Sequence, residues 1–121
     1  MQPPTPNLLV LRSDDIEASA AFYRLLGMSF NKHAHGNGPE HYASETNGFV
    51  FEIYPASEKF PASSSTRLGF TVCSVDQSVM DIESANHQVL SGPQDSPWGR
   101  RAVIVDPDSH RVELTEKTIS N

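Results

Sequence analysis

"DPDSHRVELTEK", residues 106–117, sets Glu113 between Val112 and Leu114 in a run that alternates like a strand. "GFVFEIYP", residues 48–55, sets Glu52 between Phe51 and Ile53 in the same way. The two glutamates lie 61 residues apart, and the helix starts that precede them, Asp15-Ile16-Glu17 and Ser74-Val75-Asp76, lie 59 apart. A helix start and a strand position that recur at nearly one spacing mark two copies of one unit.

The elements around these anchors fill in the unit. "NLLVLRS" (7–13) is a short apolar strand, and Asp14 and Asp15 cap the helix "IEASAAFYRLLG". That helix buries a stripe of Ile16, Ala20, Tyr23 and Leu26 and stops at Gly27. "MSFNKH", "EHYASE" and "GFVFEIY" follow as strands, parted by the turn-forming "GNGP" and "TNG". The second copy restarts with the strand "RLGFTVC", the capped helix "SVDQSVMDIESAN" and a short strand "HQVLSG". "RRAVIVD" and "HRVELTE" then form a hairpin across "DPDS", where Pro107 presets the turn.

The expected fold is therefore α+β, with paired β-α-β-β-β units in one domain spanning 1–121. Unit one covers about 7–55, a polar linker about 56–65, and unit two about 66–117. Each unit should form a curled four-stranded mixed sheet, with its helix on the outer face and a cavity on the inner one.

Alternation assigns the faces. Phe49, Phe51 and Ile53 oppose Val50, Glu52 and Tyr54, while Val112 and Leu114 oppose Arg111, Glu113 and Thr115. The apolar side belongs under the helix. A solvated opposite face is the ordinary reading of such strands. The repetition of the glutamate, and Tyr54 beside Glu52, favour a shared pocket. Leu68, Phe70 and Val72 likewise belong under the second helix, which turns Arg67 toward the glutamate face. A guanidinium there needs an anionic partner, and Glu52 or Glu113 is the expected one.

Composition narrows the function. Nine basic against fifteen acidic residues give a net charge of −6, which opposes nucleic-acid binding. A lone Cys73 excludes an intrachain disulfide and fits a reducing, cytoplasmic setting; it follows a buried strand and reads as packing. No run approaches the roughly 20 apolar residues of a membrane helix. "MQPPTPN" lacks the basic and apolar regions of a signal peptide.

"DDIEASAAFYRLLGM", "GFVFEIY" and "WGRRAVIVDPDSHRVELTE" together resemble the vicinal oxygen chelate superfamily of glyoxalase I, bleomycin-resistance proteins and extradiol dioxygenases. Ser109 stands where that pattern usually has glycine. The resemblance implies that metal-dependent members hold a divalent ion at positions that fall here at Leu8, Glu52, Arg67 and Glu113. A hydrocarbon and a cation replace two ligands, so no metal or other cofactor is expected, and a divalent metal is disfavoured. The resemblance also implies a homodimer.

Further candidates come from single residues. His33, His35 and His41 can gather around a metal, although "HGNGP" makes a solvated set the plainer reading. One of His41 and Tyr42 should face the cavity, and an imidazole near Glu52 can shuttle protons. Trp98, set by Pro97 and Gly99 at a strand mouth, can wall an aromatic ligand. Arg100 and Arg101 face opposite ways; Arg100 stands as the ligand-binding candidate, although alternation leaves the choice open.

The expected partner is a small organic molecule, anionic or aromatic, in a cavity lined by Leu8, Val10, Tyr54, Arg67, Trp98 and Arg100. Catalytic candidates are Glu52, Glu113 and His41. Two classes stay open: a binding protein of the drug-resistance type, and a metal-independent isomerase or lyase with a glutamate as base.

Overall fold

The computed structural model describes residues 2–116. The order of elements is β1 (Leu8–Ser13), α1 (Ile16–Arg24), β2 (Asn31–His33), β3 (His41–Thr46) and β4 (Phe49–Pro55), then β5 (Arg67–Val72), α2 (Val75–Ser84), β6 (Val89–Ser96), β7 (Gly99–Val105) and β8 (Arg111–Glu116). The chain divides into two compact units at Ala62/Ser63, inside the expected linker. Each unit carries one four-stranded mixed sheet, in the orders β1-β4-β3-β2 and β5-β8-β7-β6. The β1–β4 and β5–β8 pairs are parallel and the others antiparallel, so the two units share one topology. Residue 117, the end of the expected second unit, lies outside the described residues.

The repeat extends to the helix caps. The Asp15 side chain accepts from the backbone N–H of Ala18, and Ser74 accepts from Gln77, each at 3.1 Å. Both caps satisfy a first-turn donor that the helix itself leaves unpaired. α2 has a further anchor, because Glu116 at the end of β8 accepts from Val75 N at 3.1 Å.

In the first unit α1 covers the face that carries Phe51 and Ile53. Ala20, Phe22 and Tyr23 are fully buried there. Tyr23 meets Phe22 and Phe51 edge-on, with ring centroids 4.9 Å apart in each pair. Such contacts add about 0.5–1.5 kcal/mol beyond area burial. Glu17 ties the helix to the sheet: its carboxylate accepts from Lys32 Nζ at 2.7 Å and from the Tyr42 hydroxyl at 2.5 Å. The Lys32 and Tyr42 bonds hold the Glu17 carboxyl below its usual range. In the second unit Val75, Val79 and Ile82 of α2 are buried, as are Leu68, Ile104, Val112 and Leu114 of the sheet.

Four expectations need correction. α1 ends at Arg24, and Gly27 instead closes a following turn with a φ of +98°. Phe22, not only the expected stripe, enters the core, because it fills space beside Tyr23. β2 is confined to Asn31–His33 and is exposed throughout, so "MSF" supplies no strand pairing. β6 runs on through Gly92 and Pro93 to Ser96, with register shifts at Val89/Ser91 and Ser91/Gln94. An edge strand with bulges tolerates a proline that a central strand would not.

The hairpin between β7 and β8 is locked by a buried pair. Asp106 accepts from the backbone N–H groups of Asp108 and His110 at 3.0 and 2.9 Å, and its second oxygen lies 2.8 Å from His110 Nδ1. Ser109, with a φ of +69°, occupies the left-handed conformation that glycine adopts without strain. The lock fixes where β8 begins and hence which way Glu113 faces.

Candidate functional site

Registry places the candidate residues of the first unit on the sheet face opposite α1. Leu8, Val10 and Arg12 of β1 stand opposite Val50, Glu52 and Tyr54 of β4, and Ala43 of β3 stands on the other flank of Glu52. His41 shares this face and is only 2% exposed, whereas Tyr42 points to the helix side. The His41 ring stacks on Tyr54, with centroids 4.1 Å apart and planes at 7°. Its Nε2 lies 3.6 Å from Glu52 Oε2. Beyond Tyr54 sits the Arg12 guanidinium, 5.1 Å from the Tyr54 centroid and 4.5 Å from that of Phe60. The arrangement is a column of imidazole, phenol, guanidinium and phenyl beside a carboxylate. Leu8 and Val10 leave the neighbouring surface apolar and exposed.

His33 and His35 join His41 on this side. Ring centroids are 5.9 Å apart for His33–His35, 5.9 Å for His33–His41 and 5.4 Å for His35–His41. The three imidazoles therefore lie near one another, with His33 and His35 exposed, as the solvated reading expects, and His41 buried.

In the second unit, Glu113 of β8 stands opposite Gly69 of β5 and Val103 of β7. Its ion-pair partner is Arg101. Trp98, Arg101, Glu113 and Thr115 line a recess of about 420 Å³. Trp98 is 74% exposed, in the turn between β6 and β7, where its backbone N–H donates to Ser96 Oγ at 3.2 Å.

Two arginine expectations are corrected here. Arg67 is exposed, stands opposite Arg111 and forms no ion pair among the described residues. The guanidinium that holds Glu113 comes from β7, because Arg101 and Glu113 are near neighbours across the β7–β8 ladder. Arg100 faces the α2 side, bound to Asp76 at 3.0 Å and to Asp95 at 3.0 Å. Those two carboxylates push its pKa up, Asp76 most strongly. Cys73 is exposed and not part of the packing.

The residue model of the Glyoxalase/Bleomycin resistance protein/Dioxygenase superfamily matches residues 5–114. The chain belongs to that superfamily. An uncharacterised protein of Mycolicibacterium smegmatis is 28% identical over 99 residues, spanning 82% of each chain. TnmS3, an antibiotic binding protein from Streptomyces sp. CB03234, superposes with a TM-score of 0.75 at 22% identity, over 98% of this chain and 99% of its own. A glyoxalase-related enzyme from Fulvimarina pelagi gives 0.71 at 24% identity, over 93% and 88%. At these identities the likeness establishes the fold.

The resemblance implies metal donors at the positions that fall here at Leu8, Glu52, Arg67 and Glu113. Leu8 has no donor atom, Arg67 carries a permanent positive charge, and Glu113 is engaged by Arg101. That set does not fit a divalent ion. A separate group, Asp106, Asp108 and His110, brings ligand-type atoms within 4.8 Å of one another. Its Asp106 carboxylate already serves the turn, so the group acts as a hairpin lock.

Sequence reasoning missed Arg12, Phe60, Arg101 as the inward arginine, and the Asp106–His110 pair. Arg12 was within reach, since it alternates with Leu8 and Val10. Phe60 lies in the linker, where no period exists to signal it.

Proposed function

We propose that the protein binds a small anionic or aromatic organic molecule on the helix-free faces of its sheets, without turning it over. The observation that carries this reading is an exposed Trp98 bordering a recess that also presents the Arg101–Glu113 pair. The recess volume of about 420 Å³ lies in the roughly 300–1,000 Å³ range of small-molecule pockets. An indole offers an aromatic face for stacking, and Arg101 can exchange its glutamate for a ligand carboxylate. Family membership and the likeness to an antibiotic binding protein support the reading. Neither step calls for a metal or cofactor.

Trp98 is the sole tryptophan, so selectively excited tryptophan fluorescence reports on this recess. Titration with bleomycin and a panel of aromatic carboxylates is expected to quench it saturably, and Arg101→Ala to weaken the carboxylates at least about tenfold, or 1.4 kcal/mol. Binding absent across the panel, or unchanged in Arg101→Ala, removes the reading.

A second reading rests on His41 and Glu52. A carboxylate 3.6 Å from an imidazole can abstract a proton α to a carbonyl in a metal-independent isomerase or lyase. Solvent-deuterium exchange into 2-oxo acids, lost in Glu52→Gln, would support it; no exchange above the uncatalysed rate excludes it. For both readings we propose a cytoplasmic homodimer. No described helix is long and apolar enough to cross a membrane.

A further inference from the structure

We infer that His33, His35, His41 and Glu52 form a binding site for one divalent transition-metal ion, zinc or nickel, on the helix-free face of the first sheet. The site shares Glu52 with the superfamily position discussed above but differs from it in the other three donors, which come from β2, β3 and the segment between them.

The argument starts at His41. Its Nδ1 lies 3.3 Å from the carbonyl oxygen of Pro39, which can only accept, so Nδ1 carries the hydrogen. In the neutral ring Nε2 then bears a lone pair. That nitrogen is buried and has no hydrogen-bond partner among the described residues. The nearest polar group is the Glu52 carboxylate at 3.6 Å, which is also an acceptor. Two acceptors this close, one of them buried, repel each other unless a positive group lies between them.

A proton is the simplest such group. It would make His41 an imidazolium, but 3.6 Å is too long for the N–H···O bond it would then form. A metal fits the spacing better. Two ligand atoms about 2.0–2.1 Å from a tetrahedral zinc stand about 3.3 Å apart. Three imidazoles on one such ion have ring centroids about 5 Å apart. The observed centroids, at 5.4 to 5.9 Å, lie within about 1 Å of that spacing. The ring nitrogens and the carboxylate do not all converge within 4.8 Å in the present side-chain conformations, so His33 and His35 would turn on binding.

Registry explains the gathering. His33 stands directly opposite His41 in the β2–β3 ladder, and His35 follows two residues later. Both are exposed, so their rings can turn their nitrogens toward His41 Nε2 without disturbing the core. The Pro39 carbonyl would serve as the outer partner that orients a ligating histidine. Imidazole with one carboxylate suits zinc or nickel better than calcium or magnesium.

The test uses tag-free full-length protein, stripped with chelator and titrated with Zn²⁺ and Ni²⁺ against a chromophoric indicator. One ion per chain is expected. His33→Ala and His35→Ala should each weaken binding by more than about tenfold, since even outer-shell changes cost that much. His87→Ala, in the other unit, should leave it unchanged. Because both lesions lie at exposed positions, circular dichroism should show the fold intact. Nitrogen-15 spectra of the histidine rings give an independent readout: Zn²⁺ should shift His41 Nε2 while Nδ1 keeps its proton. The inference is overturned by no stoichiometric binding at tens of micromolar ion, by binding indifferent to His35→Ala, by loss in Glu113→Gln instead, or by a His41 Nε2 resonance that Zn²⁺ leaves unmoved.

Discussion

Glu113 shows what alternation can and cannot establish about a single residue. Period two put both glutamates and Arg67 on the helix-free faces, and the ladders agree. Choosing the cation that meets Glu113 required the β7–β8 register, which sets Arg101 beside it and leaves Arg67 next to Arg111. The single-residue prediction follows from this. Arg67→Ala should change stability by no more than about 0.5 kcal/mol, as surface substitutions without special partners do. Arg101→Ala should cost no more than about 1 kcal/mol, since both partners are about one-third exposed and solvent screens the pair. Urea denaturation checks both; a loss near 3 kcal/mol in Arg67→Ala alone would mean that Arg67, not Arg101, is the buried partner. Arg12 and His41 were readable for a similar reason, as strand positions in phase with Val10 and Glu52. Phe60 was not, since a loop residue carries no phase.

The helices carry most of the legible architecture because their signals are local. Asp15 and Ser74 each cap a helix as their sequence context foretells, and both bonds form within three residues. The strand ends were less legible: β2 is curtailed and β6 extended by what each pairs with, which no local pattern encodes. α1 also depends on a distant bond set, through Glu17 to Lys32 of β2 and Tyr42 of β3. The Lys32 bond first, then Tyr42, depresses the Glu17 pKa in the folded state. Stability from a depressed carboxyl is fully present above its unfolded pKa and fades as pH falls through the folded value. The wild-type melting temperature should therefore fall from about pH 5 downward, and Glu17→Gln should flatten part of that decline while lowering stability at neutral pH. Thermal melts across this range decide it: parallel curves for the two proteins would remove Glu17 from the acid response.

At the scale of the whole chain the question is association. Each sheet leaves two edge strands, β1 and β2 in one unit and β5 and β6 in the other. Unprotected edges tend to find partners. β1 carries exposed apolar side chains on its helix-free side, where Leu8 and Val10 are 56% and 38% exposed. A net charge of −6 opposes that tendency, because two like-charged copies repel. The repulsion acts between exposed charges and is screened beyond about 8 Å at physiological salt, whereas apolar burial is not. Burial should win, and added salt should favour it further. Sedimentation at micromolar concentration is expected to give twice the 13.3 kDa chain mass, with the dissociation constant falling as salt rises. Leu8→Glu, which puts a charge on the apolar edge, should shift the equilibrium toward single chains without loss of secondary structure. A single-chain mass at tens of micromolar in moderate salt, with the fold unchanged, would show that the exposed edge of β1 is not used for self-association.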